Sequence, residues 1–165
     1  MIYSKRLQTQ VPVNIESKSN FIQGYGNFTS YTVKDNKITI GKVDIKDTLN
    51  GIEVAFIENK QPKLYSGFGK LADQIEVEHC VKRGLKNFDI LSEASLNSHA
   101  LHFLRGKRFY SKEAEENIKK VIAETPKGKP FNTRFLGSIK MYMPQELIQK
   151  YIKIIKKNPL ILKWN

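Results

Sequence analysis

Between residues 28 and 58 apolar and polar side chains alternate with a period of two, the signature of half-buried strands. FTSYTVKD (28–35) and KITIGKVDIK (37–46) are rich in β-branched residues and predict a hairpin that turns at Asp35-Asn36. In the second strand the apolar set moves from Ile38 and Ile40 to Val43 and Ile45. That change of parity across Gly41-Lys42 predicts a β-bulge. IEVAFIE (52–58), after Asn50-Gly51, sets Ile52, Val54 and Phe56 against Glu53, Ala55 and Ile57, and reads as a central, largely buried strand.

The period then lengthens. A helix is expected from Phe68 to Arg83, stopped by Gly84, with Phe68, Leu71, Ala72 and Ile75 on one face and Val77, Cys80 and Val81 nearly opposite. Such a helix is buried on two sides. FDIL (88–91) follows as a short strand, so strand, helix and strand form a βαβ-like crossover with a glycine turn at its first junction. Ser95 is placed to cap a helix over 96–105, and Ser111 another whose early glutamates and later lysines suit the helix dipole. PKGKP (126–130) breaks that helix, RFLGSIKMYM (134–143) reads as a strand, and Pro144 opens a final helix. Asn158-Pro159 stops it ahead of an apolar LILKW.

Composition adds a frame. The 165 residues are 40% hydrophobic and 10% aromatic, enough for one real core, so a single domain over 1–165 is expected. No leader-like apolar run or membrane-length stretch is present, which points to the cytoplasm and away from a membrane partner. The single Cys80 excludes an internal disulfide. Residues 1–100 carry 13 Lys/Arg against 11 Asp/Glu, or +2, and residues 101–165 carry 15 against 5, or +10. An anionic partner would suit residues 110–165. Yet the lysines are spread over two helices, a loop and the tail, and only 5 arginines occur, so no specific nucleic-acid site is expected.

Residues 65–84, YSGFGKLADQIEVEHCVKRG, are where chemistry enters. Two glycines two apart let the backbone bend closely around a ligand, and a helix start behind them offers unpaired N–H groups to a phosphate. The order of hairpin, central strand, Gly turn, helix, strand and helix resembles the acetyl-CoA-binding half of the GNAT-type N-acetyltransferase superfamily. The resemblance runs over roughly residues 28–109. It rests on Leu64-Tyr65-Ser66-Gly67-Phe68-Gly69 at the pyrophosphate turn, on Gly84 closing the helix, and on Asn97-Ser98-His99-Ala100 followed by Phe103 and Phe109. Three positions depart from that family. Leu64 stands where it has Gln or Arg, Leu104 stands at its frequent general-acid tyrosine, and Arg108 replaces a glycine.

The resemblance implies an α/β (α+β) fold with a mixed, mostly antiparallel central sheet flanked by helices, and an added C-terminal helical region. It implies acetyl-CoA as co-substrate, held by Phe56, Ile57, Tyr65, Ser66, Gly67, Phe68, Gly69, Lys70 and Asn97, with an amine as acceptor. Glu53 and Glu58 on the central strand are the candidate bases, because they flank the expected thioester position; solvated carboxylates are the plainer reading of each. Tyr110, Ser98 and Cys80 are further proton donors among which spacing does not choose. His99, His102 and His79 lack a metal-site spacing, and no metal is expected. The expected function is acyl-CoA-dependent N-acyltransfer, with a catalytically silent GNAT-like binding module as the alternative, a nucleic-acid-binding domain as a third reading, and a homodimer left open.

Overall fold

The computed structural model describes residues 1–160. Its chain divides into two compact units, Met1–Ile90 with Lys150–Asn165, and Leu91–Gln149. The fold is mixed α/β: every registered strand pair is antiparallel, and helices flank the sheets.

In the first unit β1 (Ile2–Ser4), β2 (Thr9–Val11) and β7 (Tyr65–Ser66) make a small sheet in the order β2-β1-β7. The larger sheet runs β3 (Asn14–Ile22), β4 (Gly26–Asp35), β5 (Ile38–Thr48), β6 (Gly51–Asn59). The expected hairpin is β4–β5, turning at Asn36, whose φ of 50° suits an asparagine. Strands β1 to β3 carry no strong apolar alternation, so periodicity does not predict them. All of β3 except Ile15 is exposed, which is why the hydrophobic pattern is silent there.

The bulge in β5 falls at Ile40, which is skipped between the Val33↔Gly41 and Lys34↔Thr39 pairs. Ile40 and Gly41 are consequently both buried, one residue before the expected position. Gly41 cannot carry a side chain here, because a Cβ would lie 2.4 Å from both the Glu58 carbonyl oxygen and the Phe68 ring. At the far end a Cβ on Gly51 would lie 1.9 Å from the Asp89 carbonyl oxygen, and the Asp89 N–H donates to the Asn50 carbonyl at 2.9 Å. Each glycine marks a place where another segment closes onto the sheet.

Helix α1 (Phe68–Lys82) lies against β5 and β6 and ends at Gly84, whose φ is 79°. It is buried almost all round, as its split apolar pattern requires, and takes Asp73, Glu76, Glu78 and His79 inside with it. Each has a bonding or electrostatic partner, the rule for buried polar groups. The His79 imidazole stands between Tyr31 Oη and Asp47 Oδ1, each at 2.6 Å. Arg83 extends this chain, its Nε 3.6 Å from Asp47 Oδ2 and its fork donating to the carbonyls of Gly51 and Thr48.

In the second unit β8 (Asp89–Ala94), which starts at the end of the first unit, pairs with β10 (Ile139–Tyr142), and β10 pairs with β9 (Arg108–Phe109). Its core gathers Ala94, Ala100, Phe109, Ala114, Ile118 and Met141. Helix α2 (His99–Leu104) is shorter than expected. Leu96 takes a φ of 55°, and Ser98, not Ser95, precedes the first turn. Helix α3 (Lys112–Glu124) starts as expected, with Ser111 Oγ accepting from the Ala114 N–H. Only Ile139–Tyr142 of the strand expected over 134–143 forms, since Arg134–Leu136 is a 3-10 turn and Gly137 breaks the run. Helix α4 (Gln145–Lys157), whose residues from Lys150 onward belong to the first unit, buries Ile148, Tyr151 and Ile155 as one stripe. The apolar tail expected after it lies, beyond Leu160, outside the described residues.

Candidate cofactor and acyl-transfer site

The register of β6 against β5 changes partway. Val54 faces Ile45, Phe56 faces Asp44, and Ala55 between them has no opposite residue. Directly opposed residues of an antiparallel pair share a face, so a one-residue bulge swaps the faces beyond it. Ile52 and Val54, before the bulge, are buried toward α1. Phe56, expected with them, is instead 48% exposed on the other face, and Ile57, opposite Val43, takes the inner position. The expectation of one alternating set over 52–58 is corrected by that bulge.

The same change brings together residues that simple alternation separates. Glu53 opposes Lys46, Phe56 opposes Asp44 and Glu58 opposes Lys42, so both candidate carboxylates and Phe56 lie on the outer face of β6. Glu58 makes a half-exposed ion pair with Lys60 at 3.5 Å, an interaction worth little in stability. Asp44, which sequence reasoning does not single out, sits between the two glutamate–lysine pairs. Its Oδ1 is buried and has no hydrogen-bond partner among the described residues. A buried carboxylate oxygen without a donor calls for an explanation, and one awaiting a donor supplies it. No sequence signal would select Asp44, since its neighbours on that face depend on the bulge.

Beyond β6, the chain passes through Leu64 and β7 to Gly67, whose φ of 93° favours glycine and which precedes α1 without any side-chain cap. A Cβ placed on Gly67 would meet nothing within 4 Å, so the turn is open. The first bond into the helix runs from the Leu71 N–H to the Gly67 carbonyl at 3.2 Å. The N–H groups of Phe68, Gly69 and Lys70 therefore precede the ladder, at the positive end of a 15-residue dipole with no acidic residue in its first turn. Lys70 is exposed beside them.

Side chains along this turn play unequal parts. Phe68 is buried with its ring over Gly41, which fixes the helix start. Tyr65 is also buried and donates its hydroxyl to Asp35 Oδ2 at 2.8 Å. Both can offer a ligand only backbone. Ser66 is half-buried in β7, paired with Tyr3. Leu64 is exposed, and its carbonyl accepts from the Lys5 N–H at 2.8 Å.

In the second unit Asn97 Oδ1 accepts the N–H groups of Thr133 and Arg134, at 3.2 and 3.1 Å, and so caps the 3-10 turn. Its oxygen is committed there, leaving only its amide N–H groups for a ligand. Leu104 is exposed at the end of α2. Tyr110 packs against Tyr142 with ring centroids 4.8 Å apart and the planes tilted by 41°. His99 is buried, bonded to Thr133 Oγ1 at 2.9 Å and to the Gly137 carbonyl at 2.7 Å. Among the described residues no group of three His, Cys, Asp or Glu side chains is arranged to hold a metal. Cys80 is fully buried, which pushes its thiol up to about 12 and takes it out of nucleophilic or acid–base work near neutrality. No helix among the described residues is long and apolar enough to cross a membrane.

No family model matches the chain, and no curated protein matches it. Solved structures do. The IAA acetyltransferase from Bacillus cereus ATCC 14579 aligns with a TM-score of 0.47 and 19% identity over 70% of this chain and 77% of that one. A Bacillus subtilis acetyltransferase in complex with CoA aligns at 0.49 and 15% over 81% and 98%. A GNAT family acetyltransferase from Elizabethkingia anophelis with acetyl-CoA bound aligns at 0.48 and 14% over 79% and 97%.

Proposed function

We propose that the chain is an acyl-CoA-dependent N-acyltransferase that moves an acetyl group from acetyl-CoA to a primary amine. The observation that carries this reading is the path from a bulged strand into an open Gly67 turn and an uncapped helix start, with three carboxylates on the outer face of the β5–β6 pair. Gly67, Phe68, Gly69 and Lys70 would hold the pyrophosphate by backbone N–H groups and the Lys70 charge, without the side-chain donor that Leu64 lacks. Phe56 and Ile57 would flank the pantetheine arm, and Tyr65 and Ser66 would give it backbone. Acetyl-CoA supplies the activated acyl group, so the protein's own work is positioning and proton transfer.

One of Asp44, Glu53 and Glu58 takes a proton from the acceptor, either from its ammonium form to free the nitrogen lone pair before attack or from the neutral amine as the new C–N bond forms and the C–S bond breaks. The thiolate is protonated from solvent. Leu104, where the resemblance implies a tyrosine acid, favours the second reading, a module that binds acyl-CoA without turnover. Calorimetry with acetyl-CoA, followed by thiol-release assays against pooled amines and peptides, separates the two. Binding with thiol release supports the enzyme, binding without it supports the silent module, and no binding overturns both.

A further inference from the structure

Strand β3 ends the larger sheet of the first unit, and among the described residues β4 is its only neighbour. Its pairing runs unbroken from Asn14↔Lys34 to Ile22↔Gly26, nine pairs without a bulge. Proline is absent from it, and eight of its nine residues are exposed. An edge of this length, exposed and without a second neighbouring strand among the described residues, is a template for another strand, because every second N–H and C=O points away from the sheet. Toward its far end stand Phe21, 74% exposed, and Tyr25 beyond it, 65% exposed.

The sequence of that edge is complementary to itself. Antiparallel pairing of two copies about Lys18 would set Lys18 against Lys18, which charge repulsion disfavours. Shifting the dyad by one residue to Ser17 removes the clash and sets Glu16 opposite Lys18 of the second copy, twice by symmetry. Glu16 already receives Lys34 Nζ at 2.6 Å on the same outer face, so each Glu16 would lie between two lysines. The same register brings Asn14 opposite Asn20 and, on the inner face, the half-buried Val13 opposite the exposed Phe21. Pro12, without an N–H, ends the ladder just beyond.

We infer that the partner of this edge is a second copy of the chain, joined through β3 in an antiparallel, Ser17-centred register into a two-fold dimer. The inference does not depend on the acyl-CoA reading. The ladder is short and mostly polar, so the dimer is of the weak, concentration-dependent kind.

Sedimentation velocity over a concentration series tests it. The wild type is expected to move from monomer to dimer. Lys18→Glu sets Glu16 against a glutamate, Glu16→Lys sets a lysine against Lys18, and each is expected to weaken the dimer by roughly tenfold or more. An equimolar mixture of the two variants restores complementary pairs at both positions and is expected to dimerise again. Circular dichroism and thermal melting check that both variants fold, which their exposed positions favour. A wild type monomeric into the millimolar range overturns the proposal. So does a dimer that both variants keep unchanged, which would lie on another surface, or a mixture that stays monomeric.

Discussion

His79 on α1 and Tyr31 on β4 are joined by a 2.6 Å hydrogen bond inside the first unit, and Asp47 lies 2.6 Å from the other ring nitrogen. A neutral imidazole satisfies both contacts, with Nδ1 accepting from the Tyr31 hydroxyl and Nε2–H donating to the Asp47 carboxylate. Burial raises the Tyr31 hydroxyl pKa, so it stays protonated as a donor. Burial lowers the His79 pKa more than Asp47 restores it, and Arg83 lowers it further.

Stability should therefore depend on pH in a definite direction. The unfolded chain takes up a proton on His79 near pH 6.5 that the folded chain refuses, so stability is full above about 6.5 and falls as the pH drops from there toward the lower folded value. Urea unfolding midpoints at stepwise lower pH should show the loss, and His79→Gln should flatten it while costing about 1–3 kcal/mol at neutral pH. A wild-type midpoint that is flat or rises on acidification would contradict the assignment.

Gly51 and Gly67 should respond in opposite ways to a side chain. Gly51→Ala forces a methyl against the Asp89 carbonyl and should cost about 1–3 kcal/mol or prevent folding. A Cβ on Gly67 meets no atom within 4 Å, so the cost of Gly67→Val comes chiefly from the positive φ, about 1–2 kcal/mol. It should fold and yet lose acetyl-CoA affinity. Calorimetry on folded Gly67→Val decides this, and unchanged affinity would remove the turn from the site.

Asp44→Asn keeps the shape of the side chain and removes its basicity. If its buried oxygen accepts the amine proton, the variant should bind acetyl-CoA normally and lose about 10²-fold or more in turnover. Glu53→Gln and Glu58→Gln, measured in the same thiol-release assay, rank the three carboxylates. Loss of acetyl-CoA binding by Asp44→Asn would instead assign it to structure.

Leu104→Tyr introduces a hydroxyl at an exposed position of α2 and should raise turnover if thiolate protonation limits the rate. Equal rates for both proteins would mean that solvent suffices.

Cys80 should be silent in the folded protein. Its full burial and its thiol pKa of about 12 predict that alkylation proceeds only through unfolding. The labelling rate should rise with denaturant along the unfolding transition, and rapid labelling of the native chain would be inconsistent with the packing of α1.

Local patterning determined much of this molecule. The hairpin β4–β5, the limits of α1 from Phe68 to its stop at Gly84, the Ser111 cap of α3 and the buried stripe of α4 all follow from periods, caps and glycines that act over a few residues. Other features depended on partners distant in sequence. The exposed strand β3 exists because β4 supplies its hydrogen bonds, and a polar strand announces no such neighbour. The bulge at Ala55 reverses the faces of Phe56 and Glu58, and its place is set by what β5 offers across the ladder. Asp47 and His79, Asn97 and Thr133, and Asp44 facing Phe56 are likewise pairs that only chain folding brings together. A sequence records which side chains can hydrogen-bond or bury; which ones meet is decided by register and packing, where one skipped residue changes every face beyond it.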